Sequence, residues 1–153
     1  METFALQVEA LRPKLYRTAF CYLGSEAMAL DALDEAVYRG LRSLGTLRQP
    51  EFFDTWLTRI LINECNRELK RSRRFRPLEE LPELTAETFD DLPLREAVQQ
   101  LPRELKDVVI LRFFSGYSQA ETAQALEIPQ GTVASRQRRA LQLLRLELEE
   151  ANV

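Results

Sequence analysis

Apolar residues recur at steps of three and four along most of this 153-residue chain, which is the spacing of amphipathic helices. The stripe of the first segment consists of Phe4, Val8, Leu11, Leu15, Tyr16, Ala19 and Tyr22. This pattern predicts one helix over residues 1–23, or a pair of helices broken near Pro13. Gly24 is the residue type that ends a helix, and Ser25 is a strong N-cap for the next one.

Two further helices are predicted before residue 77. The second helix runs to about Leu44, and its apolar stripe is Leu30, Leu33, Val37, Leu41 and Leu44. The other side of this helix carries Asp31, Asp34, Glu35, Tyr38, Arg39 and Arg42. That side suits either a solvated surface or a face that docks on another protein. A third helix begins near Glu51, after the break GTLRQP, and its stripe is Phe53, Trp56, Leu57, Ile60 and Leu61. Trp56 is favoured as a core residue because it falls on that stripe.

The periodicity is weak between residues 77 and 93, where three prolines and many acids predict a linker. A helix with an apolar stripe follows, formed by Leu94, Ala97, Val98 and Leu101. Pro102 is well placed in the first turn of the next helix, which Gly116 closes. The apolar positions of that helix are Leu105, Val108, Val109, either Ile110 or Leu111, and Phe113.

The stretch from Ser118 to Leu141 predicts two short helices around a tight turn. Ser118 with Glu121 three residues later forms a capping box, and Pro129 is expected to stop the first helix. The apolar side of that helix and the turn consists of Ala123, Leu126 and Ile128. The second helix begins near Gln130 and turns Val133, Ala140 and Leu141 inward. Its outward side carries Thr132, Ser135, Arg136, Arg138 and Arg139. This is the pattern of a helix-turn-helix, whose second helix enters a DNA major groove.

The composition favours an all-α fold of two small helical domains, over residues 1–76 and 94–153, joined by the linker over 77–93. Only five glycines and no alternating β-branched run are present. The two cysteines, Cys21 and Cys65, are expected to be buried thiols, and the absence of histidine argues against zinc and lowers the expectation of an enzyme. No apolar stretch of transmembrane length and no signal-peptide pattern occur, so the chain is expected to be cytoplasmic.

The net charge of −3 divides into segments of opposite sign. Residues 59–76 hold seven basic residues against Glu64 and Glu68, a net of +5, and residues 130–145 hold four arginines and no acid. Residues 77–96 hold seven acids against Arg95, a net of −6. Seven positive charges in eighteen residues exceed what a helix end needs, so a second nucleic-acid surface is predicted there beside the helix-turn-helix. The acidic segments oppose DNA binding by the chain alone.

Several function classes remain compatible with these patterns. The helical hairpin could be a packing element with a solvated basic side. A free-standing regulator would bind duplex DNA with the second domain and use the first as a sensor or dimerisation module. An adaptor would use the same helices only for protein contacts. An enzyme is the alternative with the least support, because no pair of acidic residues lies near glycine-rich or histidine-containing sequence that would indicate a particular reaction.

Two stretches together resemble the extracytoplasmic-function group of bacterial RNA polymerase sigma factors. Residues 29–66 contain the pattern FxTWLxRIxxN, and residues 101–141 contain LPxxLxxVxxLRxF followed by IPxGTVxSRxxRA. The resemblance covers most of the chain. It implies two helical domains, called region 2 and region 4, and a promoter-specificity subunit that needs no cofactor, has no small-molecule substrate and is not an enzyme.

The resemblance also implies partners and residues. Core RNA polymerase would be bound through its β′ clamp helices and β flap, and promoter DNA and an anti-sigma factor would be the other partners. The residues that match the polymerase-docking helix are Asp31, Asp34, Glu35 and Tyr38. The loop Leu47–Glu51 resembles the loop that captures a flipped base of the minus-ten element. That loop and the helix after it supply the expected minus-ten contacts, which are Arg48, Gln49, Trp56, Arg59, Asn63, Arg67, Lys70, Arg71 and Arg74. The expected contacts to the minus-thirty-five element are Thr132, Ser135, Arg136, Arg138 and Arg139.

Overall fold

The structure is a computed structural model that describes residues 2–75 and 92–151. Every regular element of these residues is helical, which confirms the all-α prediction. The chain divides into two compact units, Met1–Glu83 and Leu84–Val153. Most of the predicted linker lies outside the described residues, and only its last two residues fall within them, at the start of a helix. The domain limits 1–76, 77–93 and 94–153 therefore stay a prediction.

The first unit is a bundle of three long helices. Helix α1 spans Glu2–Leu23, α2 spans Glu26–Arg42 and α3 spans Phe53–Phe75. Helix α1 is continuous through Pro13, so the alternative of two helices is wrong. The predicted end of α1 and start of α2 are confirmed. Gly24 has φ +68°, and the Ser25 hydroxyl accepts a hydrogen bond from the Met28 amide at 3.3 Å.

Helix α2 packs through Leu33 and several small residues, which confirms Leu33 of the predicted stripe and corrects Leu30 and Leu41. Its buried positions are Ala29, Ala32, Leu33, Ala36 and Gly40. Leu30 and Leu41, which were expected to point inward, are 40% and 37% exposed. The reason is the closeness of α3: a Cβ atom at Gly40 would lie only 2.9 Å from the Leu57 Cδ1 atom. Two helices that approach so closely need small side chains between them, which leaves the leucines on the flanks.

The described residues of the second unit, 92–151, form four α-helices. Helix α4 spans Leu92–Gln100, α5 spans Arg103–Val109, α6 spans Gln119–Leu126 and α7 spans Gln130–Ala151. Helix α5 continues as a π-helix over Ile110–Phe114, where the Ser115 amide donates to the Ile110 carbonyl at 2.9 Å. Pro102 is the residue before α5, one position earlier than expected. Gly116 has φ +81° and ends this segment as predicted.

Two apolar residues of this unit were predicted to be buried and are exposed. Phe113 is 48% exposed, and it lies in the π-helix, where the period of 3.6 residues that placed it on the stripe no longer applies. Leu141 is 44% exposed, and Leu144 is buried in its place beside Val133 and Ala140. Val133, Ala140 and Leu144 follow one another at steps of seven and four residues, so they lie on the same side of α7. Leu141 lies about 100° from Ala140 and therefore points away from that side.

Both cysteines are free and buried, as predicted. Burial raises the pKa of the Cys21 thiol from 9.0 to about 12, although the nearby Arg17 charge acts in the opposite direction. None of the described helices combines the length and hydropathy needed to span a bilayer.

Candidate nucleic-acid interfaces

The turn between α6 and α7 is held by local hydrogen bonds at both ends of α6. The Ser118 hydroxyl accepts from the Glu121 amide at 3.0 Å, and the Glu121 carboxylate accepts from the Ser118 amide at 2.9 Å. The predicted capping box is confirmed. At the other end Glu127 adopts a left-handed conformation with φ +56°, and the Ile128 amide donates to the Ala123 carbonyl at 3.1 Å. This Schellman-type ending stops α6 before Pro129 can act, which corrects the predicted role of that proline.

Pro129 instead opens helix α7. Its carbonyl accepts hydrogen bonds from the Thr132 amide at 3.0 Å and the Val133 amide at 3.2 Å. The apolar side of α6 also differs from the prediction, because Thr122 and Ala125 are its buried residues and Ala123 is half-buried. Together with buried Val133, they hold α7 at a fixed angle to α6, which is what a recognition helix requires.

Helix α7 carries the five residues predicted to contact duplex DNA. Ser135, Arg138 and Arg139 are exposed, whereas Thr132 and Arg136 are half-buried. At 3.6 residues per turn, roughly 100° per residue, Thr132, Ser135, Arg136 and Arg139 lie on one face of the helix. Arg138 lies about 160° from Arg136, so it belongs to a different side of the helix. The structure therefore groups four of the five residues.

A side-chain network ties α7 to the segment before the helix-turn-helix. The Arg112 guanidinium donates from Nε to the Gln137 Oε1 atom at 3.0 Å and from Nη1 to the Tyr117 carbonyl at 2.6 Å. Gln119 also donates to the Gln137 amide oxygen, at 3.4 Å. Arg112 thus joins the π-helix, the entry to α6 and helix α7. This network cannot be read from the sequence, because Arg112 and Gln137 are brought together only by the tertiary fold.

Helix α3 carries the second candidate surface. The residues of α3 that were predicted to contact the minus-ten element share one face, which covers about 120° of the helix circumference. They are Trp56, Arg59, Asn63, Arg67, Lys70, Arg71 and Arg74. Arg59, Asn63, Arg67, Lys70 and Arg71 are exposed, and Trp56 is half-buried. The side chain of Arg74 lies outside the described residues. The predicted minus-ten residues of this helix therefore form one continuous basic face.

Acids on the same helix partly neutralise this face. The Glu64 Oε2 atom lies 3.0 Å from Arg67 Nη1 and 3.1 Å from Arg39 Nε, so it bridges α3 and α2. The Glu68 Oε1 atom lies 3.1 Å from Arg71 Nη2. The pair of Glu68 with Arg71 is a surface ion pair, which is worth little and is screened by salt. Glu64 is only 14% exposed, so its pairs are screened less. Arg71 can therefore exchange its acid for a phosphate at a small cost.

The loop between α2 and α3 is short and held at both ends. A 3₁₀ helix over Leu44–Thr46 opens it and a second one over Pro50–Phe52 closes it. Between them Leu47 and Gln49 have extended backbone. Arg48 and Gln49 are exposed at the tip. The Trp56 Nε1–H group donates to the Thr46 hydroxyl at 3.2 Å, so the predicted minus-ten residue Trp56 contacts the loop as well as the core.

The exposed face of α2 is mixed acidic and apolar. Asp31, Asp34 and Tyr38 are exposed, with Tyr38 at 54%, and Glu35 is half-buried and paired with Arg39 at 3.0 Å. The four residues predicted to dock on polymerase lie within about 100° of the helix circumference. Leu30 and Leu41 lie beside the same face, and their exposure was not predicted from the sequence. The small residues of α2 could have indicated it, because they already account for the buried side of the helix.

Family models match both units of the chain. The description "Sigma-70 region 2" matches residues 7–75, and "Sigma-70, region 4" matches residues 91–144. The first match contains the α2 face, the loop and most of the α3 face, and the second contains the helix-turn-helix. The two matches together cover well over half of the chain.

Two curated relatives have similar sequences. The RNA polymerase sigma factor SigV of Bacillus subtilis is 31% identical over 143 residues, which cover 90% of this chain and 86% of that protein. The ECF RNA polymerase sigma factor SigM of Mycobacterium tuberculosis is 33% identical over 132 residues, which cover 83% of this chain and 67% of that protein.

Solved structures share the fold. The sigma factor RpoE of Bartonella quintana, in complex with the anti-sigma factor NepR, superposes with a TM-score of 0.73 at 20% identity, covering 97% of this chain and 98% of that chain. CnrH, in complex with the cytosolic domain of CnrY, gives a TM-score of 0.74 at 22% identity, covering 97% of this chain and 89% of that chain.

Proposed function

The chain belongs to the sigma-70 family of bacterial RNA polymerase sigma factors, in its extracytoplasmic-function group, and we propose how its exposed faces divide promoter recognition. It is an alternative sigma factor that directs core polymerase to specific promoters for transcription initiation. Four residue sets carry the proposal: the α7 face, the α3 face, the loop between α2 and α3, and the α2 face. The sigma family consists of specificity subunits, and we assign no catalytic residue to this chain.

Helix α7 reads the minus-thirty-five element as duplex DNA. Arginine forks suit both phosphate oxygens and guanine edges in the major groove. Arg136 and Arg139 share a face with Thr132 and Ser135, so these four residues meet the base edges. Arg138, on a different side of the helix, contacts the phosphate backbone instead. This division predicts that Arg136 determines sequence preference and that Arg138 contributes salt-dependent affinity.

The first unit holds the melted minus-ten strand. The α3 face has the length and charge to follow a single-stranded backbone, through Arg59, Arg67, Lys70, Arg71 and Arg74, with Asn63 as a polar contact. Arg48 and Gln49, at the exposed tip of the loop, contact the base that leaves the stack. Extrusion of a base costs a few kcal/mol, so a formed loop and backbone contacts are both needed to offset it.

The α2 face docks on core polymerase. Asp31, Asp34, Glu35 and Tyr38 supply its polar part, and Leu30 and Leu41 add apolar area that the fold leaves uncovered. The proposed target is the β′ clamp helices, with the β flap as the site for the second unit. An acid-rimmed patch with an exposed tyrosine suits a protein interface better than DNA, because carboxylates repel phosphates.

Neither DNA surface needs to bind tightly by itself. When polymerase holds both units, binding of one unit to the promoter raises the effective concentration of the other unit at its own element. Two weak DNA contacts can then give specific promoter binding. This mode of action requires the chain to work where polymerase is, in the cytoplasm. An anti-sigma factor is a further proposed partner, as the fold relative RpoE was solved in complex with one.

The observation that carries the proposal is helix α7 of a helix-turn-helix with a complete capping box. Residues 130–145 hold four arginines and no acid, and two of these arginines, Arg136 and Arg139, share the α7 face. The test is run-off transcription with bacterial core polymerase, a promoter library and the full chain. Arg136→Glu is the test variant. Arg145→Glu is the matched control, because nine residues make about two and a half turns and put Arg145 on the opposite side of α7.

We expect chain-dependent starts that disappear with Arg136→Glu and persist with Arg145→Glu. The surviving templates would then share a minus-thirty-five sequence. An absence of starts, together with a failure to co-elute with core polymerase, would refute the sigma function and favour a free-standing regulator. Equal loss with both arginine variants would refute the role of the α7 face and leave only a general charge effect.

A further inference from the structure

The indole ring of Trp56 is fixed on three sides within the first unit. Its Nε1–H group donates to the Thr46 hydroxyl at 3.2 Å. Its Cη2 atom would lie 3.7 Å from a Cβ at Gly40, so the far edge of the ring reaches helix α2. Its ring centre lies 5.7 Å from that of Phe53, at an angle of 41°. The ring therefore joins the end of α2, the start of the loop and the first turn of α3.

Thr46 is the loop residue that receives this contact. Besides accepting from Trp56, its hydroxyl donates to the Ser43 carbonyl at 2.7 Å, and its amide donates to the same carbonyl at 2.8 Å. The Leu47 amide donates to the Leu44 carbonyl at 3.1 Å. Thr46 thus closes the 3₁₀ turn from which Leu47, Arg48 and Gln49 extend.

The far end of the loop is held in a similar way. The Phe52 amide donates to the Gln49 carbonyl at 3.0 Å, and the Thr55 hydroxyl donates to the Phe52 carbonyl at 3.2 Å. These bonds connect neighbours in the sequence, whereas the bond between Trp56 and Thr46 spans ten residues. It is the long-range side-chain tie that couples the start of the loop to helix α3.

We propose that Trp56 is a positioning residue: through its hydrogen bond to Thr46 it fixes the conformation in which the loop tip receives the extruded base. This inference rests on the proposed function, and it changes the role of Trp56 from a DNA contact to a support of the DNA contact. A loop that discriminates between bases needs its polar groups held in place before binding, because a mobile loop can adapt to any base.

The arrangement of bonds allows a sharp pair of variants at Thr46. Thr46→Val keeps the shape of the side chain and removes the hydroxyl, and therefore both of its hydrogen bonds. Thr46→Ser keeps the hydroxyl and removes only the methyl group. Thr46 is exposed, and it is not among the residues assigned to DNA or polymerase contact. Any difference between the two variants therefore reports the hydroxyl rather than the bulk of the side chain.

The experiment measures base selectivity with the holoenzyme. Core polymerase and the full chain are assayed by run-off transcription on a promoter that the wild type selects, with all four bases placed in turn at each minus-ten position. For Thr46→Val we expect selectivity to fall about three- to tenfold at one position. This is the range for the loss of the bond to Trp56, because the Ser43 carbonyl still accepts from the Thr46 amide when the hydroxyl is gone. Selectivity at the other positions and binding to core polymerase should remain unchanged. Thr46→Ser should behave as the wild type.

Trp56→Phe provides the second approach, because it keeps an aromatic ring and removes the N–H donor. If Trp56 acts through Thr46, the double variant with Thr46→Val should lose no more selectivity than Trp56→Phe alone. Additive losses would show that Trp56 contacts DNA directly and would overturn the proposal. Wild-type selectivity in Thr46→Val, or an equal loss at every position, would overturn it as well.

The failure of this proposal differs from a failure of the sigma function. A wild-type chain that starts no transcripts refutes the function itself. A wild-type chain that selects promoters, with a Thr46→Val variant that selects them equally well, refutes only the positioning role.

Discussion

Gly40 marks the closest approach of α2 to α3, and Gly40→Ala tests whether that approach is required. A Cβ at this position would lie 2.9 Å from the Leu57 Cδ1 atom, which is too close for carbon atoms. Leu57 is fully buried, so its methyl group cannot move aside into solvent. The same Cβ would make only ordinary contacts, at 3.7 Å, with Phe4 and Trp56. The strain therefore falls on one buried leucine.

Two opposing terms set the expected change in the free energy of unfolding. Alanine is favoured over glycine in a helix interior by roughly 0.5–1 kcal/mol. Overpacking of a close-packed core costs typically ~1–3 kcal/mol. Their difference predicts that Gly40→Ala lowers the free energy of unfolding of the first unit by about 1 kcal/mol.

The matched control is Gly45→Ala in the same unit. A Cβ at Gly45 meets no atom within 4 Å, and its φ is not in the left-handed region. The substitution should raise the free energy of unfolding by about 0.4–1 kcal/mol, because it mainly restricts the unfolded chain. Urea unfolding followed by tryptophan fluorescence measures both variants. Trp56 is the only tryptophan of the chain, so the signal reports the first unit alone.

A common rise of the two urea midpoints would refute the reasoning, because it would mean that the contact between Gly40 and Leu57 relaxes without cost. A further variant tests the same contact. Adding Leu57→Val to Gly40→Ala shortens the side chain that the new methyl group meets. The double variant should therefore be more stable than the sum of the two single changes predicts.

Three further predictions concern single residues. Ser118→Ala removes the cap of α6 and should lower the stability of the second unit by about 1 kcal/mol in circular-dichroism melts, whereas Ser118→Thr should lose much less. Arg112→Met removes the shorter of the two hydrogen bonds to Gln137 and should weaken binding of a selected minus-thirty-five duplex in fluorescence anisotropy, with the melting of the unit as the control for folding. Burial holds the pKa of the Cys21 thiol at about 12 against 9.0 ordinarily, so only the unfolded chain loses this proton just above 9. Stability should therefore fall as the pH rises from about 9 to about 12, and Cys21→Ala should show a smaller fall in titrations of urea midpoints.

Local signals in the sequence predicted the helices and their ends well. The capping box of Ser118 and Glu121 and the glycine between α1 and α2 act within a few residues, so they can be read without the fold. Glu127 was missed because a glutamate in the left-handed conformation carries no such signal. The hydrogen bond from the Ile128 amide to the Ala123 carbonyl accompanies this conformation.

The orientation of helices was harder to predict than their existence. Hydrophobicity ranks Leu30 and Leu41 above Ala32 and Ala36 for burial, yet close packing against α3 selects the smaller residues. Phe113 was placed by a period of 3.6 residues, which the π-helix breaks. In the first case the deciding factor is a contact with another helix, and in the second it is a local change in backbone hydrogen bonding. The periodicity of one segment contains neither.

The basic faces of α3 and α7 could be read from spacing and charge, but the partners of their side chains could not. Arg39 reaches Glu64 from another helix, and Arg112 reaches Gln137 across the second unit. The bond between Trp56 and Thr46 was missed for the same reason. The sequence therefore predicted which surfaces are charged, and the structure adds which side chains hold those surfaces in place.

Under the proposed function, the ion pairs of α3 keep its basic face from binding DNA indiscriminately. Arg67 and Arg71 each have a carboxylate at about 3 Å, so a phosphate that replaces a carboxylate gains only the difference between the two pairings. The free chain should accordingly bind single-stranded DNA weakly and with a shallow salt dependence. A promoter offers more than phosphates, because it adds a base for the loop and a duplex element for α7. Discrimination then comes from the contacts that only a promoter can complete, and these require both units to be held by the same polymerase.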